Sequence, residues 1–304
     1  MSAQQGGLKI LLLGQGGQVG WELQRALAPL GEVVGLDHDS TLHHGDFSQP
    51  ERLAETVAAV RPDIIVNAAA HTAVDKAESE PDLARAINAT APGVLARCAA
   101  ETGAWLVHYS TDYVFDGSGD QPRSEDAPTG PLSVYGQTKL EGEDAIRASG
   151  CRHLILRTSW VYAARGGNFA KTMLRLAAER DKLTVIDDQI GAPTGADLLA
   201  DLTAQMLRTA MAQPDLDLSG TYHAVAGGQT SWHGYAQFVI EEARRLGREL
   251  KVQAIDPVPT SAFPTPAKRP LNSRLDTTKL QSTFGLRLPP WQQGVTRMLT
   301  EILG

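Results

Sequence analysis

The chain has 304 residues, of which 42% are hydrophobic and 21% are charged, and its formal net charge is −7. The length is sufficient for one large domain or two modest ones. The negative charge argues against a nucleic-acid-binding protein that relies on a generally basic surface. No apolar run approaches the ~18 residues that a membrane span needs. Two cysteines, Cys98 and Cys151, make neither a disulfide framework nor a zinc site, so we expect a cytoplasmic protein.

The first half of the chain alternates short apolar runs with helical patterns. Residues 1–7 are polar and glycine-rich and lack the apolar stretch of a signal peptide, so we expect a loose end there. Strands are predicted at residues 8–13, 32–36, 63–66, 105–109 and 153–156. Helices are predicted at residues 19–28, 51–60, 83–100 and 134–147. This alternation predicts an α/β fold of Rossmann type, with a doubly wound parallel sheet.

The second half is less regular. Helices are predicted at residues 168–179, 195–209 and 232–246, and prolines and short loops crowd residues 257–270. We therefore predict a dinucleotide-binding domain at residues 1–160. Residues 161–304 would form mainly a smaller, substrate-binding lobe, with segments that return to the first domain.

A glycine-rich loop directly follows the first strand. Gly14, Gly17 and Gly20 permit a tight turn, a close backbone approach to a pyrophosphate, and close packing of the next helix on the strand. The N-terminus of that helix, at Gln18 and Val19, would offer free amides to the same anion. A strand before the motif and a helix after it favour a dinucleotide site over an ordinary turn.

Two further segments extend the expected cofactor site. Asp37 ends the second strand, 23 residues after Gly14, where an acidic residue would bind the ribose hydroxyls of the adenosine; the alternative is a solvated loop aspartate. Asp46 and Phe47 could flank the adenine. Small residues after the third strand would let a cofactor approach the backbone closely, although they could equally allow a helix to pack closely on the sheet.

The catalytic pattern combines a phenol, an ammonium and a hydroxyl. Tyr135 and Lys139 are four residues apart and share one face of a helix. A tyrosine has a pKa near 10, so we expect the cation of Lys139 to lower the pKa of Tyr135 toward the operating pH. Thr111 ends the fourth strand and could hydrogen-bond the same substrate oxygen as Tyr135, or simply fill a strand end. Tyrosine and lysine would then serve proton transfer to a carbonyl oxygen.

Eight stretches together resemble one family. They are GQVGWEL at 17–23, VNAAAHTAVDKAE at 66–78, HYSTDYVFDG at 108–117, VYGQTKLEGE at 134–143, RTSWVYA at 157–163, NFAKTML at 168–174, DDQIGAPTGA at 187–196 and RPLNSRLD at 269–276. This set resembles the dTDP-4-dehydrorhamnose reductases, a subfamily of the extended short-chain dehydrogenases/reductases. The resemblance covers nearly the whole chain. It implies NADPH- or NADH-dependent reduction of the C4 carbonyl of dTDP-4-dehydro-L-rhamnose, the last step of dTDP-L-rhamnose synthesis for bacterial surface polysaccharide (O antigen).

The resemblance also implies residue roles. Thr111, Tyr135 and Lys139 would be catalytic, and Asn88 matches the helix asparagine of a proton relay. Cofactor contacts would come from Gly14, Gly17, Gln18, Val19, Asp37, Asp46, Phe47, Ala70, His71, Thr72, Tyr135 and Lys139. Substrate contacts would come from Thr111, Asp112 and Trp160, although Trp160 could equally belong to the core. Some family members are magnesium-dependent homodimers, and Glu22 fits their metal site, but Asp197 stands where others have a glutamate.

Three alternatives remain open at this point. The basic residues Lys268, Arg269 and Arg274 are either ligands of the nucleotide diphosphate or a solvated loop. The enzyme could be a related nucleotide-sugar epimerase or dehydratase with tightly held NAD. A third alternative is a non-catalytic regulatory subunit of the same fold. The presence of Thr111, Tyr135 and Lys139 argues against the last.

Overall fold

The computed structural model describes residues 7–304, so the expectation for the N-terminal stretch lies almost entirely outside the described residues. The strands are β1 (Leu8–Leu13), β2 (Gly31–Leu36), β3 (Ile64–Asn67), β4 (Trp105–Thr111), β5 (His153–Thr158), β6 (Val161–Tyr162), β7 (Lys182–Ile186), β8 (Ile190–Gly191), β9 (Thr194–Gly195), β10 (Gly220–His223), β11 (Thr230–Ser231) and β12 (Ala254–Val258). The α-helices are α1 (Gln18–Leu27), α2 (Arg52–Val60), α3 (Val74–Ser79), α4 (Pro81–Arg85), α5 (Ala91–Thr102), α6 (Val134–Ser149), α7 (Phe169–Glu179), α8 (Ala196–Ala212), α9 (Trp232–Arg245), α10 (Thr278–Phe284) and α11 (Trp291–Leu303). Within residues 7–304, no helix combines the length and apolar character needed to cross a membrane.

A six-stranded sheet forms the centre of the fold, in the order β10-β5-β4-β3-β1-β2, and every neighbouring pair is parallel. This confirms the predicted doubly wound sheet. The chain passes from β1 to β2 on one side and then returns to β3 on the other side of β1. Strand order therefore reverses between β1 and β3, and a ligand crevice is expected at the carboxyl ends of these strands.

The central strands are apolar on both faces because helices cover both sides of the sheet. Ile10 and Leu12 pack into one hydrophobic cluster, to which α1 and α8 contribute. Leu11 and Leu13 point to the opposite face and pack into a second cluster with residues of α2 and α5. Alternate residues of one strand thus serve two cores, which explains the unbroken apolar run at residues 8–13.

Segments from the second half of the chain complete the sheet and one of its helical layers. Strand β10 pairs with β5 over residues 220–223 and 154–157, and α8 packs against α1. A separate cluster around Tyr235, Val239 and Trp291 joins α9 to α11. The sequence analysis identified neither β10 nor the last two helices. The proposed division at residue 160 stays a prediction.

The single helix predicted at residues 83–100 is wrong in one respect, because a π-helical turn at Ala86–Thr90 separates α4 from α5. Pro92 lacks an amide hydrogen and cannot donate to the carbonyl of Asn88, so the regular ladder cannot continue there. Gly142 of α6 packs at the same point, where an added Cβ would lie 2.2 Å from the Asn88 oxygen. The turn therefore marks a close contact between two helices.

Candidate active site

A cavity of about 1060 Å³ opens at the carboxyl ends of β1, β3, β4 and β5, where the strand order reverses. Most of the predicted site residues line it. They are Gly14, Gly17, Gln18, Val19, Asp37, Asp46, Phe47, Ala70, Thr72, Thr111, Asp112, Tyr135, Lys139 and Trp160. The cavity therefore brings the glycine loop together with Thr111, Tyr135 and Lys139.

His71 and Asn88 are not among the residues that line this cavity. The Asn88 amide accepts a hydrogen bond from the His71 backbone N–H at 2.9 Å and donates to the His71 carbonyl at 3.2 Å. It also donates to the hydroxyl of Thr138 on α6, at 3.2 Å. Asn88 is fully buried and thus fastens the loop after β3 to α6. Its role in a proton relay stays a prediction.

The glycine loop has the tight geometry that an anion site requires. Gly14 has φ +82°, and an added Cβ would lie 2.7 Å from the Ala69 nitrogen. At Gly20 an added Cβ would lie 1.9 Å from the Gly14 oxygen. Helix α1 begins at Gln18 without a side-chain cap, so its first amides remain available to a phosphate.

Asp37 joins the end of β2 to the glycine loop. Its two carboxylate oxygens accept the Gly16 amide at 3.2 and 3.0 Å. The carboxylate lines the cavity and keeps lone pairs free, because two oxygens offer about four acceptor positions. This placement is compatible with ribose binding, which stays a prediction.

Tyr135 is the second residue of α6, lines the cavity and packs edge-on against Tyr113, with ring centroids 5.4 Å apart. The expectation that Lys139 lowers the pKa of Tyr135 is wrong. Burial raises the pKa of Tyr135 to about 12; the Thr111 hydroxyl opposes this shift, and the Asp112 carboxylate adds to it. The phenol therefore keeps its proton at neutral pH, as a proton donor must.

Lys139 is 2% exposed, and its side-chain nitrogen contacts residues of β4. Its Nζ donates to the Tyr109 carbonyl at 2.6 Å and lies 3.2 Å from Nε2 of His108. Burial lowers the pKa of Lys139 to about 8, although the Glu143 carboxylate opposes the shift. Lys139 is thus close to its titration point near neutral pH.

The hydrogen bonds around His108 also favour a lowered pKa for Lys139. The Ala69 amide donates to Oδ1 of Asn67 at 3.0 Å, which orients the Asn67 amide so that its nitrogen donates to Nδ1 of His108, also at 3.0 Å. The proton of the neutral imidazole is then assigned to Nε2, facing Lys139. Burial and Lys139 both lower the pKa of His108 well below its usual value. An N–H directed at Nζ favours the neutral amine of Lys139 over its ammonium form.

Thr111 and Asp112 end β4 beside Tyr135. The Thr111 hydroxyl donates to Oδ1 of Asp112 at 3.2 Å and accepts the Tyr113 amide at 3.2 Å. Asp112 is 2% exposed, and its Oδ2 has no hydrogen-bond partner among the described residues. Burial raises the pKa of Asp112 to about 6, and the nearby hydroxyls of Ser273 and Thr111 partly offset this shift. One carboxylate oxygen therefore remains free for a ligand.

Trp160 lines the cavity with an unusual backbone. Its φ of +50° lies in the left-handed region, which is uncommon for a bulky residue and costs free energy. The ring stacks on Trp232, with centroids 3.7 Å apart and planes inclined by 14°. Trp232 in turn donates from its indole N–H to the Gln189 side chain at 3.0 Å. A strained residue that is supported in this way at a cavity wall is compatible with a sugar-facing role.

The basic loop does not contribute to this cavity. Arg269 forms a two-pronged ion pair with Asp75, at 3.1 and 2.8 Å. Arg274 donates to Gln229 at 2.6 Å and to Asn272 at 3.0 Å. Both guanidinium groups are therefore occupied by protein partners in this structure, and Lys268 is also absent from the cavity lining.

Comparison with known proteins agrees with the geometry. The family model described as RmlD substrate binding domain matches residues 8–303. A dTDP-4-dehydrorhamnose reductase of Shigella flexneri is 61% identical over 295 residues, which cover 97% of this chain and 98% of that protein. The chain belongs to the RmlD family.

Two solved structures of RmlD-type reductases resemble this chain along almost all of its length. The dTDP-4-dehydrorhamnose reductase of Clostridium acetobutylicum has a TM-score of 0.87 and 36% identity, and the match covers 98% of this chain and 100% of that one. The Bacillus anthracis reductase, solved in complex with NADP, has a TM-score of 0.87 and 34% identity, with 97% and 99% coverage. The similarity therefore includes both halves of the chain.

A magnesium site of the kind implied for some members of the RmlD family does not fit the described carboxylates. Within residues 7–304, no three side chains of His, Cys, Asp or Glu are placed to share a metal. The Asp197 carboxylate accepts a hydrogen bond from Arg297 at 3.0 Å, and Glu22 lies 3.6 Å from Arg25. These acids are already paired with guanidinium groups, so no chemical step is assigned to magnesium.

The sequence analysis of this RmlD-family chain missed several residues of the site. Those that matter are His108 behind Lys139, Trp232 behind Trp160, Ser273 beside Asp112, and Arg165 in the cavity wall. His108 lies within the HYSTDYVFDG stretch and could have been found there. Ser273 lies within the RPLNSRLD stretch, but no local signal connects it to Asp112. Trp232 and Arg165 lie outside the eight stretches, and no local pattern connects them to the site.

Proposed function

We propose that this protein reduces the C4 carbonyl of dTDP-4-dehydro-L-rhamnose to give dTDP-L-rhamnose, with NADPH or NADH as hydride donor. One observation carries the proposal: Thr111, Tyr135 and Lys139 line the same cavity as the glycine loop, in a chain 61% identical to a reductase of that name. The product would be an activated sugar for surface polysaccharide.

The roles of the residues follow from their protonation and placement. Hydride from the bound nicotinamide would leave negative charge on the C4 oxygen. Tyr135, whose pKa burial raises to about 12, is protonated at neutral pH and donates its proton to that oxygen. The Thr111 hydroxyl hydrogen-bonds the same oxygen. Lys139 would contact the nicotinamide ribose and would exchange a proton near neutral pH, since its pKa is about 8.

The cofactor site supports a nicotinamide dinucleotide, and the complex of the Bacillus anthracis relative with NADP supports the phosphorylated form. Free amides at the start of α1 would bind the pyrophosphate. We further propose that the enzyme acts in the cytoplasm as a homodimer. Sedimentation or mass photometry of the purified protein tests the dimer directly.

Two rival functions predict different behaviour. An epimerase or dehydratase would hold NAD tightly and recycle it, so it would not consume reduced cofactor over many turnovers. A non-catalytic subunit would bind a stoichiometric protein partner and show no reductase activity. The intact set of Thr111, Tyr135 and Lys139 supports the reductase.

The deciding experiment is steady-state reduction of the 4-keto sugar nucleotide, followed at the nicotinamide absorbance band. Tyr135→Phe should lower kcat about 10²–10⁴-fold, because it removes the donated proton but keeps the ring. Tyr222→Phe is the matched control, since the Tyr222 hydroxyl bonds the Leu218 carbonyl outside the cavity, and it should keep its turnover. Near wild-type turnover by Tyr135→Phe would refute the assignment.

A further inference from the structure

The charge on the cavity wall is unevenly distributed. Among the described residues that line the cavity, only Lys139 and Arg165 have Lys or Arg side chains. Lys139 is buried beside Tyr109, at the catalytic end. Arg165 is exposed and lies at the glycine loop, where the phosphates of a dinucleotide would bind. Among the described residues of the cavity wall, Arg165 is therefore the permanent cation that lies within reach of the cofactor's phosphates.

Two contacts hold Arg165 in place over the glycine loop. Its Nε donates to the Gly16 carbonyl at 3.2 Å. Its guanidinium lies 4.2 Å from the ring centre of Trp21, a cation–π distance. The next residues of the same loop are also anchored, because the Gln18 side chain donates to the Gly167 carbonyl at 3.2 Å. The loop between β6 and α7 therefore covers the first turn of α1.

Gly16 connects this cation to the carboxylate of Asp37. Its carbonyl accepts from Arg165, while its amide donates to Asp37 at 3.0 Å. A guanidinium and a carboxylate are thus bound to opposite sides of one residue. Asp37 suits a free ribose 2′-hydroxyl and repels a phosphate at that position. A neighbouring guanidinium would offset that repulsion.

We propose that Arg165 binds the 2′-phosphate of NADPH, which lets the enzyme use NADPH although Asp37 occupies the ribose site. The inference rests on the proposed function, since it concerns the cofactor of that reaction. With Nε bound to Gly16, the two Nη groups of Arg165 retain four N–H donors. A planar guanidinium binds two phosphate oxygens at once, and Trp21 keeps its plane oriented.

The test is a calorimetric titration of the purified protein with NADPH and with NADH, without sugar nucleotide. Arg165→Gln keeps an N–H donor near the position of the Arg165 Nε, which can still bond the Gly16 carbonyl, but it removes the charge and both Nη groups. We expect its Kd for NADPH to rise about tenfold or more, as for loss of a charge-assisted hydrogen bond, and its Kd for NADH to change less than about threefold. Arg175→Gln is the matched control, because Arg175 is exposed on α7 and pairs with Glu179 of the same helix, away from the cavity.

Salt gives a second readout. Wild-type affinity for NADPH should fall more steeply with ionic strength than affinity for NADH, and Arg165→Gln should abolish that difference. An equal loss for both cofactors would overturn the 2′-phosphate assignment and place Arg165 on the shared pyrophosphate. Unchanged affinities would make Arg165 a loop anchor only. If the wild-type protein binds neither cofactor, the proposed function itself fails.

Discussion

Replacing Glu143 with Gln should destabilise the protein strongly, because Glu143 is the centre of a buried ionic network. Its side chain is fully buried and accepts Arg157 Nε at 2.9 Å and Arg157 Nη2 at 2.6 Å. It also accepts the Ser110 hydroxyl at 2.5 Å and Arg147 at 3.0 Å. These contacts tie α6 to β4 and β5 next to Thr111, at the end of β4.

The expected magnitude follows from the burial of the partner. Glu143→Gln keeps the shape but leaves the Arg157 guanidinium, whose side chain is 3% exposed, without a counter-charge. Breaking a buried pair in this way costs about 3–5 kcal/mol. The exposed pair Arg175–Glu179 provides the matched control, since Glu179→Gln should cost less than about 1 kcal/mol.

Urea unfolding of both variants at pH 7, followed by fluorescence and circular dichroism, measures the difference. Burial opposes the shift, but Arg157, Ser110 and Arg147 together lower the pKa of Glu143 below its ordinary value of 4.5. The advantage of wild type over Glu143→Gln is therefore full above that pH, and it shrinks as the pH falls toward the lowered pKa. A Glu143→Gln protein within about 0.5 kcal/mol of wild type at pH 7 would refute the network argument.

Two further predictions concern the cavity wall. Trp232→Leu removes the ring that is stacked on Trp160. The KM for the sugar nucleotide should therefore rise about 2–12-fold, while the affinity for the cofactor is unchanged. An unchanged KM would show that the position of Trp160 does not depend on this stacking. Asp112→Asn should raise the free energy of unfolding at pH 7.5 by about 1–3 kcal/mol, because burial raises the pKa of Asp112 to about 6 and the charged form is penalised above it. The gain should shrink as the pH falls below 6 and vanish below about pH 4, where the carboxyl is protonated in the unfolded state as well as in the folded state; equal gains at pH 7.5 and below pH 4 would exclude a charge effect.

The first five strands of the sheet and the glycine loop could be predicted because their signals are local. An unbroken apolar run, glycines at fixed spacing and a following helix lie within residues 8–27, and the structure places β1, the tight turn and α1 there. The pair Tyr135 and Lys139 could be predicted as well, since residues four positions apart on a helix lie on the same face.

The protonation of that pair could not be predicted, because it depends on burial and distant partners. Proximity of a cation suggested a lowered pKa for Tyr135, but burial dominates and raises it. His108, 31 residues before Lys139, changes the lysine's environment, and only the pairing of strands brings the two together. The left-handed backbone of Trp160 likewise has no signature in its neighbours.

The parallel pairing of β10 with β5 has a consequence for synthesis on the ribosome. Synthesis of the first five strands of the sheet is complete at residue 158, whereas synthesis of β10 is complete only at residue 223. Until then β5 would present an unpaired edge to other nascent chains, and the apolar face of α1 would lack its cover from α8. The sheet can therefore be completed only late in translation, after residue 223 has been added.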